Sequence, residues 1–538
     1  MKQQPNRREI DPNRGTPRFA SFLERAALLV ILLVALMLLY TSLISTNYID
    51  PAQYSGQHIL AKQDNLMVNL AVTAAVIALF RVLRVARLPR RFVIGAGILL
   101  LGALACAGIA WSLMMRSTPI SDQEVLLNSA VTMWTGDRSI LRDVSSYEHF
   151  YFVRFPFQLG FLSVMEGMVR IFGEMQTMVI LPILNVLLLI SGYVALLLTT
   201  ERIFGDLRVT FLTLVLLCLC PQPVFACAWL YGLIPALALT LWSVYFAVRF
   251  MQSYKGWAAL AAAGCSALAV FCKPNAWIGA VAIVIVYVLH ALKTRGWKPL
   301  VAAVVLVALC VPLPKLAQAT YEKRIGTEFG EGYPMSAWMA MGMQDSWMAA
   351  GWYNEYSKEM YQTYGTDLEA IAERNEKDIE KSKKEFAEDP RAAGEFYQEK
   401  FASQWNEPTL ESLWIAIVTS PYGDAERGEL VRSLYDGRWP GVALEEEMNY
   451  MLQVVYAGFA LGVIVLIRKR ESMQLIFPIA IIGGVLFHLL YEANSKYALT
   501  YLPMFLPIAA YGMLTFGVNA KGWFTKDKEN ASGKGRVK

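Results

Sequence analysis

Charge is scarce in this chain. Only 17% of its 538 residues are Asp, Glu, Lys or Arg, 56% are hydrophobic and the mean hydropathy is +0.39, a balance that excludes a polypeptide surrounded by water. Metal-ligating residues are few as well. There are four histidines. The seven cysteines, Cys106, Cys218, Cys220, Cys227, Cys265, Cys272 and Cys310, lie within or at the ends of apolar runs with no paired CxxC spacing, so neither a zinc site nor a disulfide framework is expected. The body of the chain has no low-complexity tract, and 12% aromatics exclude a disordered or fibrous protein.

Long apolar runs are what the chain has in quantity. A helix needs about 20 apolar residues to cross a bilayer. The pattern predicts twelve crossings, at about 26–45, 65–82, 92–115, 175–199, 209–227, 230–248, 257–272, 277–292, 299–315, 450–467, 473–491 and 498–517. Lys and Arg set the orientation, because cytoplasmic loops hold them back during insertion. With the N-terminus inside, the segments 1–25, 81–91, 201–208, 249–256, 293–298, 468–470 and 519–538 are also inside and together hold 27 basic residues. The expectation is an all-α, multi-pass protein of the cell membrane with both termini cytoplasmic. Arg7, Arg8, Arg14 and Arg18 precede a full-length apolar run without a small-residue cleavage pattern, so the first run reads as a span and not as a signal peptide.

Two segments stay outside, a connection at 116–174 and a mainly helical domain at 316–449. Residues 317–450 carry 26 Asp+Glu against 13 Lys+Arg, a net of −13, which leaves +18 for the rest of the chain. That basic excess lies in short juxtamembrane loops where orientation and anionic lipid account for it, so nucleic acid is not an expected partner. The predicted organisation is a cytoplasmic tail (1–25), two additional spans (26–91), a seven-span module (92–315), the acidic domain (316–449), three spans (450–517) and a basic cytoplasmic tail (518–538).

The first outside connection opens with Pro119-Ile120-Ser121-Asp122-Gln123-Glu124. Ser121 followed three residues later by Glu124 fits a capping box, with Glu124 reaching back to the cap and Asp122 as the first helical residue. Asp122 then either complements the helix dipole or takes a proton from an attacking hydroxyl. Farther on come Tyr147-Glu148-His149-Phe150-Tyr151 and Arg154-Phe155-Pro156-Phe157-Gln158. The stretch 157–172, apolar but carrying Gln158, Glu166 and Arg170, reads as a helix lying on the outer surface. A second cluster at Cys272-Lys273-Pro274-Asn275 follows the seventh run. A third, Tyr491-Glu492-Ala493-Asn494-Ser495-Lys496-Tyr497, lies between the last two, with His488 one turn inside the membrane.

Lysines at such places ordinarily snorkel to the interface. A phosphate ligand needs cations at this depth, however, and Arg154, Lys273 and Lys496 can supply them together. Glu124, Glu148, His149, Tyr151, Gln158, Glu492 and Tyr497 complete the candidate pocket. His149 has no second histidine at ligand spacing and reads as a hydrogen-bonding or packing residue. In the acidic domain, the Met- and Trp-rich stretch from Gly332 to Asn354 reads as a soluble core, or near the membrane as a surface for sugar or lipid. Asp367 to Phe386 reads as a solvated helix with Glu373–Lys377 and Glu380–Lys384 pairs, and Asp389-Pro390 as the start of another that stops at Glu407-Pro408.

The arrangement resembles bacterial membrane glycosyltransferases of the glycosyltransferase-C (GT-C) superfamily, whose seven-span module has an acidic residue in its first outside loop followed by surface helices. Here runs three to nine form the seven, with Ser121-Asp122-Gln123-Glu124 and then the FPFQLGF stretch (155–161) in that loop. The strings SAWMAMGM (336–343) with GWYN (351–354), KFASQWNEPT (400–409) and EANSKYALTYLPMFLPIAAYG (492–512) look like patterns of Gram-positive members, which extends the resemblance over most of 92–517. The resemblance implies Asp122 as catalytic base. Glu492, Lys496 and Tyr497 are similar to an acidic-then-basic-Tyr pattern before the last span, with Lys496 standing where an arginine is expected, a departure that removes bidentate phosphate recognition there.

What this implies is an inverting transfer of a hexosyl or pentosyl group from a polyprenyl-phosphate sugar to an extracytoplasmic glycan, lipid or protein acceptor, in cell-envelope biogenesis. No cofactor is required by it. A divalent metal is used by some relatives, and Asp122, Glu124 and Glu148 are the carboxylates available to hold one. The competing reading is a transporter, or a flippase or polymerase of lipid-linked sugars, since twelve spans with both ends inside is also a permease count. Against the permease stand the absence of a half-to-half repeat and the outside domain falling after the ninth span.

Overall fold

Apolar runs with few glycine or proline interruptions leave the backbone no partner but itself inside a membrane, so they become helices. In the computed structural model, which describes residues 18–115, 118–418, 433–434, 437–468, 470 and 472–517, every one of the twelve predicted runs is helical. Most of the two tails predicted to be cytoplasmic therefore lies outside the described residues. The count of crossings differs from twelve. Among the described residues nine helices are long and apolar enough: Phe19–Ile44, Leu66–Val85, Arg90–Met115, Glu174–Phe204, Leu233–Ser253, Pro274–Thr294, Lys298–Ile325, Trp439–Arg468 and Ser472–Leu490. The pair Leu207–Leu219 and Gln222–Ala228, bent by 51°, makes a tenth if taken as one span, while Gly256–Cys272 and Leu502–Thr515 fall short of that length. The protein is a helical, multi-pass membrane protein.

Three details depart from the sequence reading. The chain is not purely helical: Ser45–Ile49 pairs antiparallel with Ile59–Gln63, Ser45 opposite Gln63, where Thr46, Tyr48, Ile49 and Ile59 supply residues suited to a pleated surface. The helix predicted at 450 begins at Trp439, because Glu445, Glu446 and Glu447 hide its first turns from a hydropathy pattern and it crosses the 449/450 boundary unbroken. The capping box does not form. Asp122 does begin the helix Asp122–Thr135, but Ser121 sits at φ +51°, its hydroxyl caps nothing, and Glu124 is exposed.

The stretch expected to form a surface helix is helical over Leu159–Phe172. Its polar anchor is Glu166, a buried carboxylate that accepts from Arg324 (2.5 and 2.9 Å), from the Tyr321 hydroxyl (2.5 Å) and from Arg170 (2.7 Å). This ties the loop to the C-terminal end of Lys298–Ile325. At the opposite ends of the helices Glu24, also buried, accepts from Arg470 (3.1 Å) and Ser472 (2.7 Å) and pairs with Lys293 (3.4 Å), locking the first span to later ones.

The acidic domain contributes Met335–Gly342, Tyr356–Tyr364, Leu368–Glu388 and Pro390–Trp405. Asp367 caps the third by accepting from Ala370 N, and Asp389 caps the fourth through Arg391 N and Ala392 N. Glu373 pairs with Lys377 (2.7 Å), whereas Glu380 takes Lys383 (2.7 Å) in place of Lys384, which turns to Glu388 (3.8 Å). The domain sits on the segment before the last helix: Ala493 N donates to Gly351 O (2.9 Å), and the buried Trp352 packs against Ala493 and donates its indole N–H to Ser403 (3.0 Å). The hairpin joins it through Ile59 N to Met348 O (2.9 Å) and Asn47 N to Asn406 O (3.1 Å).

Burial by itself raises the Glu166 carboxyl, but hydrogen bonds from Arg324, Tyr321 and Arg170 outweigh it and hold the group at about 2. Its stabilising contribution is therefore complete above the unfolded value near 4.3 and lost as pH falls toward about 2. Glu166→Ala is expected to lower stability in detergent by about 2–3 kcal/mol at neutral pH, discounted because Arg324 is partly solvated. Thermal unfolding of both proteins from pH 7 to 3 checks this: the difference between them should shrink below about pH 4, and equal stability at neutral pH would discount the bridge.

Candidate functional site

The site is built on the connection between the bent helix pair and Leu233–Ser253. Residues 229–232 lie between the two helices, and the backbone from 227 to 232 is pinned from three sides. Asn185 donates its amide to Cys227 O (3.2 Å) and Trp229 O (3.0 Å). Gln123, one residue past Asp122 and buried, accepts from Leu230 N at 2.9 Å. Gly232 lies against the carbonyl of Cys272, where any Cβ would collide, so the connection meets the start of the 273–276 turn at van der Waals distance.

These pins deliver Tyr231 to the centre of the site. Its hydroxyl donates to Asp122 Oδ2 (3.0 Å), accepts from Lys273 Nζ (2.8 Å) and accepts from Gln158 Nε2. Trp229 stacks on the ring (4.6 Å between centroids, 23° between planes) and Phe161 meets it edge-on (6.2 Å). Tyr151, fully buried, brings its phenol up to Asp122 and Tyr231 without closing a regular hydrogen bond to either. Burial, reinforced by Lys496 and opposed by Asp122 and Glu492, pushes the Lys273 ammonium down to about 8.

The segment Glu492–Tyr497 forms the opposing wall. Glu492 faces Lys496, Lys273 and Asp122 with Tyr497 beside it; its burial raises the carboxyl above the usual range. His488 stacks on Tyr497 (4.8 Å, 12°) and binds Glu492 O through Nδ1 (2.9 Å). Lys496 has Glu411 at 4.0 Å and the Trp229 ring at 5.9 Å. Asp122, Lys273, Glu492 and Lys496 are all half-buried, so the group lines an open recess and not a sealed core. Beside it a small, mostly apolar recess, walled by Leu237, Thr240, Gly279, Tyr501 and Met504, has Lys273 and Asn275 in its lining.

Of the residues singled out in the sequence, Asp122, Tyr151, Gln158, Lys273, Glu492, Lys496 and Tyr497 come together. Arg154 goes elsewhere. It is buried beneath the acidic domain, its guanidinium 3.6 Å above the Phe150 ring and 4.7 Å from Phe155, with Nη1 donating to Ser357 (3.2 Å). Stacking between two rings satisfies a flat cation better than an exposed lysine-like position would, which removes it from the Lys273–Lys496 pair. His149 packs against Phe329 (5.6 Å) with Nδ1 to Leu141 O (3.0 Å), Glu148 is buried on the same short helix, and Glu124 points to solvent. Asp122, Glu124 and Glu148 do not converge, and among the described residues no three His, Cys, Asp or Glu side chains do.

No family model matches this chain, nor does any curated protein. Solved structures do. It is similar to ArnT from Cupriavidus metallidurans in the apo state, 14% identical over 78% of this chain and 77% of that one with a TM-score of 0.33, and to the same protein bound to undecaprenyl phosphate, 15% identical with the same coverage and TM-score. Likenesses this distant carry no argument about chemistry, which rests on the residues themselves.

Sequence reasoning missed Tyr231, Gln123 and two acids. Tyr231 reads as an interfacial aromatic at the start of a span, and Gln123 is overshadowed by its acidic neighbours. Glu407, read only as a helix stop, is buried and accepts from Thr409 N (2.9 Å), Thr409 Oγ1 (2.6 Å), Glu411 N (2.6 Å) and Ser495 Oγ (3.0 Å); burial pushes it up to about 7 against those bonds. Glu411, at φ +56°, accepts from Gln57 (2.6 Å) and Ser495 (3.1 Å). The only signal was a Glu-Pro-Thr-Leu-Glu string that charge patterning assigns to a surface.

Gln123→Ala is expected to leave the buried Leu230 N–H without an acceptor and to cost about 1–3 kcal/mol, read as a lower melting temperature in detergent. An unchanged melting temperature would mean the connection does not depend on this pin.

Proposed function

We propose that this protein is a membrane glycosyltransferase that moves a hexosyl or pentosyl group from a polyprenyl-phosphate donor to an acceptor hydroxyl on the outer side of the membrane, with inversion at the anomeric carbon. The observation that carries the reading is the junction at Tyr231, where a carboxylate (Asp122) and an ammonium (Lys273) share one hydroxyl at the edge of an apolar recess. An acid that can take a proton, a cation that can hold phosphate and an apolar recess for a lipid chain are the three parts such a transfer needs.

In this reading Asp122 takes the acceptor proton as the acceptor oxygen bonds to the anomeric carbon, and the bond from that carbon to the phosphate oxygen breaks on the opposite face. The leaving polyprenyl phosphate carries its own negative charge, so the protein's work is to align the reactants and to set Lys273 and Lys496 where that charge grows. Glu492 and Glu411 beside the two lysines keep them from repelling one another before the phosphate arrives. Arg154 packs beneath the acidic domain and has no role at the phosphate.

With a polyprenyl-phosphate sugar and its acceptor, Asp122→Asn is expected to lose about 10²–10⁴-fold in turnover while still binding donor, since the amide oxygen can accept the Tyr231 hydrogen bond. Lys273→Met and Lys496→Met are expected to raise the donor KM. Because Lys273 is charged only below about 8, donor affinity should weaken as pH rises past that value. Transfer assays with radiolabelled donor check all three. Full turnover in Asp122→Asn would remove it as base, and movement of intact lipid-linked sugar across vesicles with no new glycosidic bond would favour a flippase.

A further inference from the structure

A base that has taken a proton must lose it before the next cycle, either to water in the recess that Asp122 lines or along the side chains bonded to it. The groups around it narrow the routes. Tyr231 is the one side chain hydrogen-bonded to the Asp122 carboxylate among the described residues, and the same hydroxyl holds Lys273 Nζ at 2.8 Å. The other groups facing this junction are Tyr151, Gln158 and Tyr497 around Tyr231, and Lys496 and Glu492 around Lys273. None of them continues the line. Gln158 has only amide protons to give, Glu492 faces Lys273 without a hydrogen bond to Tyr231, and the Tyr151 hydroxyl, though close to Asp122 and Tyr231, closes no regular hydrogen bond.

Resting on the transferase reading, we propose that Tyr231 is a proton relay that returns Asp122 to its carboxylate form by passing the proton through Lys273 to the departing polyprenyl phosphate. The step balances. The phosphate leaves as a dianion; Lys273 gives a proton to a phosphate oxygen, Tyr231 gives its hydroxyl proton to Lys273 Nζ, and Asp122 gives the proton it took from the acceptor to the Tyr231 oxygen. Two O–H bonds and one N–H bond break and three equivalent bonds form, and the product leaves as the monoanion, more weakly held by Lys273 and Lys496. Release and resetting thereby become one event. The overall transfer runs from a carboxylic acid to a phosphate dianion. The lowered affinity of Lys273 for its proton, about 8 in place of 10.5, brings the middle carrier toward the two ends. Trp229 and Phe161 hold the ring so that the hydroxyl need only rotate its proton.

The test is Tyr231→Phe in rapid-quench transfer assays with radiolabelled polyprenyl-phosphate sugar. The expected result is a burst of about one product per enzyme at a rate within a few-fold of wild type, followed by steady turnover reduced about 10–100-fold, with no burst in wild type. Gln158→Leu, which removes the third hydrogen bond on the same oxygen but no proton carrier, should show no burst. Unchanged steady turnover in Tyr231→Phe would overturn the relay, and so would equal slowing of both phases or a raised donor KM alone, which would make Tyr231 a positioning residue only. Should that variant fail to fold, the wild-type proton inventory decides: a curved dependence of kcat on deuterium fraction is expected from several protons in flight, and a linear or absent one would refute the relay. Wild-type protein that makes no glycosidic bond from any donor would instead sink the transferase reading, and the relay with it.

Discussion

A carboxylate and an ammonium drawn together at the edge of a membrane lose most of their hydration, and they keep their charges only if another polar group takes up the hydrogen bonds water supplied. The Tyr231 hydroxyl does this for Asp122 and Lys273. It donates to one and accepts from the other, so each ion sees a dipole of the right sign, and Gln158 supplies the second donor the oxygen can accept. Much of the surrounding structure serves that one atom. Asn185, Gln123 and Gly232 fix the backbone, Trp229 and Phe161 fix the ring, and the break between Leu207–Leu219 and Leu233–Ser253 exists so that Tyr231 lies outside a helix.

The acidic domain packs on this arrangement. Its Gly351 and Trp352 meet Ala493, which sets it against the segment carrying Glu492, Lys496 and Tyr497. The buried Lys400 donates to Gly342 O, and Gly342 packs so closely on Tyr491 and Glu492 that no side chain fits between them. Behind Lys496 the Glu407–Glu411 pair, Ser495 and Gln57 bind the end of the domain, the hairpin and the site wall into one network. The buried Glu411 carboxylate beside Lys496, backed by this packed wall, limits the rotamers of the lysine.

The sequence was informative where the physics is local. Hydropathy over about 20 residues is set by the membrane, so all twelve apolar runs appear as helices, although two are shorter than a crossing and one is bent. Helix starts at Asp367 and Asp389 followed from cap chemistry. The Ser121 cap failed because tertiary packing of Gln123 against residue 230 decides how that helix begins, and it drives Ser121 to φ +51°. Trp439 was missed as a helix start because three glutamates are compatible with a helix end as easily as with a loop.

By itself the amino-acid order determined that the chain is a many-helix membrane protein with an acidic helical domain, and that Asp122, Lys273 and the Glu492–Tyr497 string stand at run ends where charges can meet. Only the tertiary structure decided which of them do. Arg154 and Lys273 look equivalent as cations beside aromatic residues, yet one is clasped by Phe150 and Phe155 and the other by Tyr231. Tyr231, Gln123, Glu407 and Glu411 carry no pattern of their own. Their importance arises from partners 84 to 354 residues away in the chain, among them Asp122, Leu230, Ser495 and Gln57, and a periodicity that reaches a few turns cannot contain a pairing of that length.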